Sequence, residues 1–328
     1  EALVMTDPFH HEALLYAGDD DYLRGVVPFV REGLDAGEPV LVAVPRERVE
    51  LLRAALGPAA DAVRFEVMEE LGRNPAWIIP AWADFVEAHG GLPVRGVGEP
   101  VTLCRGPAAL LECQRHETLL NLAFAGHRGF RLLCPYDEGR LPDEVLSEAR
   151  RSHPWLSHHD APRCPSEEFA GADHRRHDLE LPDPPAWASS MAVTASSLRE
   201  ARALVRDVAC AARLGARTGD LVLAVDEALT NSIRHGGGSA QLALWTSDGT
   251  LWAEVRDSGL LTDPLAGRVR PAADSIGGRG LWLMHQVCDL VQISPLAEGG
   301  QATRLQIAVE PAGSSGSAGG QSGLASSA

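Results

Sequence analysis

Between residues 14 and 134, short apolar segments alternate with helix-forming stretches. One segment, Val40-Leu41-Val42-Ala43-Val44, is apolar at every position. A strand with one wet face alternates apolar and polar residues. A strand that is apolar throughout needs cover on both faces, as in a parallel sheet. Leu14-Leu15-Tyr16-Ala17, Val63-Arg64-Phe65-Glu66-Val67, Val94-Arg95-Gly96-Val97 and Phe130-Arg131-Leu132-Leu133-Cys134 read as further strands. Helices are expected from Asp19 to near Gly37, over 46–56, over 75–89 and over 108–125. This order predicts an α/β unit, a mostly parallel sheet with helices on both faces.

At 328 residues the chain is long enough for two domains. Prolines at 162, 165, 182, 184 and 185 mark 156–188 as a linker, and 311–328, rich in Gly, Ser and Ala, as a disordered tail. The linker region also holds His153, His158, His159, His174, His177 and Cys164. No pair has the spacing of a closed zinc site, so a solvated polar linker is expected. Net charge is −16; residues 191–310 hold 11 arginines against 13 acids, and the remainder 18 against 32. The acidic N-terminal half argues against direct binding to nucleic acid or an anionic membrane. No apolar run approaches the roughly 18 residues of a membrane helix, and no secretory pattern opens the chain, so a cytoplasmic protein is expected. Six scattered cysteines without a C-x-x-C pair read as free thiols. All 29 basic residues are arginine, and a Walker A loop needs lysine, so a nucleotide site here must be of another kind.

The richest local pattern is Asp226-Glu227-Ala228-Leu229-Thr230-Asn231-Ser232-Ile233-Arg234-His235-Gly236, which follows an apolar run over 221–225. Glu227 and Asn231 stand four apart, one turn of helix from each other on one face. A carboxamide oxygen can ligate a hard cation such as Mg²⁺, and a neighbouring carboxylate can orient or deprotonate a hydroxyl. Alone, the pair reads more readily as the solvated stripe of an amphipathic helix. Three further pieces follow: Asp257-Ser258-Gly259 closing an alternating strand, Gly277-Gly278-Arg279-Gly280 opening an apolar helix, and Gly299-Gly300-Gln301-Ala302-Thr303 entering a last strand. An Asp at a strand end can accept from an exocyclic amine, and glycines before a helix suit phosphate.

In this order and spacing, the four pieces resemble the N, G1, G2 and G3 boxes of Bergerat-fold (GHKL) ATPases, over roughly 189–310. Within that family, Glu-x-x-x-Asn followed by His-Gly resembles the anti-sigma factor serine kinases of the RsbW and SpoIIAB type. The resemblance implies a Bergerat α/β sandwich, a mixed sheet covered by helices, that takes ATP and Mg²⁺. It implies Glu227 as general base, Asn231 as Mg²⁺ ligand and Asp257 as adenine contact. Gly259, Gly278 and Gly280 would line the nucleotide, and Thr303 would sit near the adenine. Arg279 is placed either to reach a phosphate from the lid or to stay solvated. Two departures stand out: Leu261 occupies a common second glycine of the G1 box, and Gly300 and Thr303 are separated where the family usually joins Gly to Thr.

The N-terminal half holds its own set of fragments: His11-Glu12-Ala13-Leu14-Leu15-Tyr16, Arg73-Asn74-Pro75, Gly98-Glu99-Pro100, His116-Glu117 with Asn121, and Pro135-Tyr136-Asp137. Over 8–155 they resemble the MEDS (DcmR-type) sensory domain, a RecA-like or KaiC-like module without a phosphate loop. A small-molecule signal would bind at the carboxyl ends of the strands. His11, Tyr16, Glu99, His116, Tyr136 and Asp137 are the polar candidates.

Together the two resemblances imply an anti-sigma regulator. It would hold a sigma factor, or phosphorylate a STAS-type anti-anti-sigma protein on serine or threonine, under control of the sensory half. A homodimer would be in keeping with the resemblance of residues 189–310 to the anti-sigma kinases. Two alternatives stay open. A histidine kinase would need a phosphoacceptor helical hairpin, for which the proline-rich linker is poorly suited. A partner switch could bind ATP without turning it over.

Overall fold

The computed structural model describes residues 9–102, 106–158, 160–178, 181–272 and 278–309. The expected tail over 311–328, together with Cys104, His159 and Gly277, lies outside the described residues.

The first unit runs β1 (His10–Tyr16), α1 (Gly18–Asp35), β2 (Val40–Val44), α2 (Arg46–Leu56), β3 (Val63–Val67), α3 (Met68–Leu71), α4 (Ile78–Ala88), β4 (Val94–Gly98), α5 (Pro107–Ala123), β5 (Phe130–Asp137), α6 (Asp143–Ser152), β6 (Trp155–His158) and β7 (Ala161–Pro165). Its seven strands are ordered β3-β2-β4-β5-β1-β6-β7 and are parallel except for the β6–β7 pair. The apolar strands are covered on both faces, as their composition requires. Leu14, Tyr16, Val42, Val97 and Leu133 face one core with Tyr22, Val26 and Val30 of α1. Ala13, Leu15, Leu41, Leu132 and Cys134 face the other, with Trp82 of α4 and Leu119 of α5. Three acids, Asp19 to Asp21, occupy the first turn of α1, where the helix dipole favours them.

The second unit runs β8 (Ser189–Thr194), α7 (Leu198–Ala211), α8 (Thr218–His235), β9 (Ser239–Ser247), β10 (Thr250–Asp257), α9 (Arg279–Val287), β11 (Leu290–Pro295) and β12 (Gln301–Ala308). Its sheet, ordered β11-β12-β10-β9-β8, is antiparallel at every pairing rather than mixed. Turn chemistry explains the difference. Asp248 (φ 50°) and Gly249 (φ 69°) form a two-residue turn with both residues left-handed, the kind that joins antiparallel neighbours. A five-residue connection, 296–300, links β11 to β12. The helices cover one face, where Leu242, Ala253, Val255 and Leu305 meet Val205, Leu221, Val225 and Leu229.

The segment expected as a solvated linker is more structured than its composition suggests. Its first part forms β6 and β7 and extends the first sheet. His177 is buried against α5, with Nε2 3.0 Å from Thr118 Oγ1. Further on, the chain lies along the helix-free face of the second sheet, where Arg304 donates to Pro182 O and Arg256 pairs with Asp183 at 2.8 Å. Among the described residues, no helix is long and apolar enough to cross a membrane.

Candidate functional site

Helix α8 buries Leu221, Ala224, Val225, Ala228, Leu229 and Ser232, a stripe at three- and four-residue spacing. Glu227 and Asn231 sit at the edge of that stripe, half-buried, where core gives way to solvent. The helix that follows the glycine cluster meets them there. Gly278 is left-handed (φ 80°) and caps α9, whose first residue, Arg279, is exposed. A Cβ added at Gly280 would stand 2.6 Å from Glu227 Oε2 and 3.4 Å from Asn231 Nδ2. Any side chain there would displace the carboxylate, so glycine is what lets α9 begin against this pair.

Asp257 ends β10, and its orientation is fixed from two sides. Ser232 Oγ donates to Oδ2 at 2.6 Å, and Gly259 N donates to Oδ1 at 2.7 Å. An ionised carboxylate has about four acceptor positions, so each oxygen keeps capacity for another donor. Gly300 (φ 89°) closes the other side: a Cβ there would lie 2.1 Å from Asp257 O. In the β10–β12 ladder Asp257 is opposite Gln301 and Val255 opposite Thr303, so Asp257, Gln301 and the buried Thr303 share the helix-facing side. Gln301 Oε1 accepts from Leu261 N at 2.8 Å, which holds the chain where a second glycine was expected. The site residues therefore fall into two groups: Glu227, Asn231, Gly278, Arg279 and Gly280 where α8 meets α9, and Asp257, Gly259 and Thr303 at the end of β10. Ser232 joins α8 to the second group. Its part was not inferred from sequence, although it directly follows Asn231 in the motif.

A second constellation opens in the first unit. A cavity of about 620 Å³ sits at the carboxyl ends of β1, β2, β4 and β5, with Tyr16, Arg48, Arg73, Glu99, Asp137 and Arg140 in its lining. Of the six expected polar candidates, Tyr16, Glu99 and Asp137 line it; His11, His116 and Tyr136 do not. Strand alternation explains part of this, because Tyr136 faces the opposite core from its neighbour Asp137. Tyr16 Oη donates to Glu99 Oε1 at 2.7 Å, and the Arg48 guanidinium lies 4.5 Å over the Tyr22 ring. Glu99 Oε2 is buried without a partner. Burial raises the Glu99 carboxyl from an ordinary 4.5 to about 7, against the hydrogen bond from Tyr16 and the charge of Arg48.

The two constellations are physically joined. Arg73 lines the cavity and also approaches Asp289 beyond the end of α9, at 3.5 Å. Next to it, Asn74 Nδ2 donates to His285 O at 2.9 Å and Cys288 O at 3.1 Å, and Trp77 Nε1 donates to His285 O at 2.6 Å. These donors satisfy carbonyls at the C-terminus of α9, which an isolated helix leaves without partners. From α5, Glu112 pairs with Arg268 in the segment between β10 and α9, and from α4 Asp84 pairs with Arg270 at 2.8 Å. Leu265 of the same segment packs against the first unit's core.

The chain is thus a parallel α/β unit with a polar cavity, fastened to an antiparallel sandwich that sets an acid–amide pair under a glycine-led helix. The matches to known families agree. Residues 10–154 match the family model of the MEthanogen/methylotroph, DcmR Sensory domain (MEDS), and residues 191–307 match that of the Histidine kinase-like ATPase domain. The chain thus joins a MEDS domain to a histidine kinase-like, ATP-binding domain, the make-up of a regulatory kinase or ATPase. No curated protein matches the chain.

Proposed function

We propose that the chain is a cytoplasmic anti-sigma regulator whose ATPase domain phosphorylates a STAS-type anti-anti-sigma protein on serine or threonine, under control of the MEDS domain. The observation that carries this reading is the seating of Gly280 on Glu227 and Asn231: a carboxylate and a carboxamide, one helical turn apart, under the start of α9. The donor set fits Mg·ATP. Asn231 offers a neutral oxygen of the kind Mg²⁺ takes, Asp257 keeps acceptor capacity for an amino group, and the Gly278–Gly280 turn brings backbone close. Bound Mg·ATP supplies the phosphoryl group and the metal's charge. The chain's own residues do the rest. Asn231 holds the metal, Asp257 and Thr303 receive the base, and Gly259, Gly278, Arg279 and Gly280 border the nucleotide. Glu227 accepts the proton from the partner's hydroxyl. Phosphate on the partner adds charge that breaks its complex and frees this chain to hold a sigma factor.

Control would run through α9. Its first residues rest on Glu227 and Asn231, and its last carbonyls are held by Asn74 and Trp77 next to the cavity residue Arg73. A small polar molecule in the cavity would shift Arg73 and Asn74, and with them the helix that covers the ATP site. The histidine-kinase alternative finds less support, because among the described residues 153–188 hold no α-helix to carry a phosphoacceptor.

Incubation with labelled ATP, Mg²⁺ and candidate STAS proteins tests the reading. Label on a partner serine or threonine, absent with Glu227→Ala, is the expected outcome. Label on a histidine of the chain itself would overturn it in favour of the second class. Nucleotide binding without any transfer would leave a switch that works by ATP occupancy alone.

A further inference from the structure

Among the described residues, the best-defined group of potential ligands lies outside both constellations. His11 comes from β1, Cys134 from the adjacent β5, Glu117 from α5 and His153 from the residue after α6. All four are at most 1 % exposed. One ligand atom from each lies within 4.8 Å of the other three. Glu117 Oε2 is 3.2 Å from His11 Nε2 and 3.4 Å from His153 Nε2, and Cys134 Sγ is 3.4 Å from His11 Nε2. A tetrahedral zinc ion with bonds of about 2.0–2.3 Å separates its ligand atoms by about 3.3–3.8 Å. Two of the three short separations, both 3.4 Å, fall in that range, and the third, 3.2 Å, lies just below it.

Hydrogen bonds around the group decide which nitrogens face inward. Asn121 Nδ2 donates to Ser152 O at 2.8 Å, so the carboxamide turns its oxygen to His11 Nδ1, 3.2 Å away. His153 Nδ1 lies 2.8 Å from Ala149 O, which can only accept. Both rings therefore carry their proton on Nδ1 and turn Nε2 toward the carboxylate. A ring protonated only at Nδ1 aims an Nε2 lone pair at that carboxylate, in a space closed to solvent. His153 Nε2 and Glu117 Oε1 have no hydrogen-bond partner. Buried polar atoms left in this way are costly, and a cation at the centre removes the conflict. The outer contacts are those that ligating imidazoles make: the other ring nitrogen donates to a carbonyl or an amide oxygen. Charge also balances, since a thiolate, a carboxylate and two neutral imidazoles around a divalent ion sum to zero. A thiolate with imidazoles disfavours Mg²⁺ and Ca²⁺ and suits zinc and its transition-metal neighbours.

We propose that His11, Glu117, Cys134 and His153 form a closed, four-coordinate site for a divalent transition-metal ion, zinc by its chemistry, in the core of the MEDS domain. The site is separate from the sensory cavity, whose lining includes none of the four residues. It ties two neighbouring strands to α5 and to the end of α6.

The test uses the full chain, purified without chelator. Elemental analysis is expected to find about one equivalent of metal per chain, and its identity separates zinc from iron. After chelation, titration with Co²⁺ should produce a thiolate-to-metal absorption band. Cys134→Ser should abolish that band, and Cys164→Ser, at an exposed thiol, should leave it unchanged. Circular dichroism shows whether each variant folds. If Cys134→Ser does not fold, the wild-type cobalt spectrum and a matching metal content decide the matter. A folded wild-type chain without metal and without a thiolate band on cobalt addition would overturn the proposal. So would equal uptake by a folded Cys134→Ser chain.

Discussion

The two groups of polar side chains that set this chain apart are built in opposite ways. In the ATPase domain, Glu227, Asn231 and Asp257 are half-buried, and Asp257 has its oxygens partnered by Ser232 and Gly259. In the MEDS domain, His11, Glu117, Cys134 and His153 are sealed in the core, and two of their polar atoms have no hydrogen-bond partner. The first group is stable as it stands and keeps spare acceptor capacity at the surface, which suits a ligand that comes and goes. The second leaves buried polar atoms without hydrogen bonds and is closed to solvent, which suits an ion that stays. On the two proposals, satisfaction and exposure separate the sites more clearly than residue type does.

The contrast can be broken or sharpened by substitution. The largest effect is expected at Glu227. Glu227→Gln keeps the shape beneath Gly280 and removes the base, so phosphoryl transfer should fall by about 10²–10⁴-fold in single-turnover labelling, with nucleotide affinity nearly unchanged. A matching loss of affinity would make Glu227 a binding residue instead.

Gly300→Ala comes next. A left-handed backbone and a Cβ that would stand 2.1 Å from Asp257 O should together cost about 3 kcal/mol or more in denaturant unfolding. Gly238→Ala, at φ 86° but in open space, should cost only about 1–2 kcal/mol. Equal costs would show that Asp257 is not confined by Gly300.

Glu99 gives a pH signature for the sensory cavity. Burial raises its folded value to about 7 from 4.5, so the folded chain takes up a proton that the unfolded chain has already released. That contribution to stability is complete below the unfolded value and is lost as pH rises through about 7. Glu99→Gln should stabilise the protein by at most about 3 kcal/mol at pH 8 and leave it unchanged at pH 4. A variant equally stable to wild type at both values would remove burial as the cause.

The smallest effect tests the join. Trp77→Phe keeps the ring and deletes the donor to His285 O. Loss of one hydrogen bond at the end of α9 should change nucleotide affinity by about three- to tenfold in the full chain. An unchanged affinity would mean that the MEDS domain does not reach the ATP site through α9.

What could be read from sequence follows the same division. The Glu227–Asn231 pair was legible because helical periodicity puts residues four apart on one face. The glycine turns were legible because close approach and left-handed backbone leave a local mark. The parallel sheet of the first unit could be read from Val40–Val44, apolar on both faces. The buried cluster was not legible, because its members come from four elements and only the fold brings His11 and His153 together. His11 was grouped with the cavity, and His153 was assigned to the linker region by its histidine-rich surroundings. The linker was misread for a related reason. Proline and histidine content speaks for solvent, but the open edge of β1 accepts β6 as a neighbour and α5 buries His177. Antiparallel pairing in the second sheet was within reach, since Asp248-Gly249 is a hairpin signal that was passed over.

Calorimetric titration of Mg·ATP into the full chain, with wild type beside Asn231→Ala, tests the central claim most directly. Tight, Mg²⁺-dependent binding by wild type is expected. The variant should lose about tenfold or more in affinity, with little remaining dependence on Mg²⁺, as when a metal ligand is removed. The same affinity and the same metal dependence in both proteins would contradict that claim.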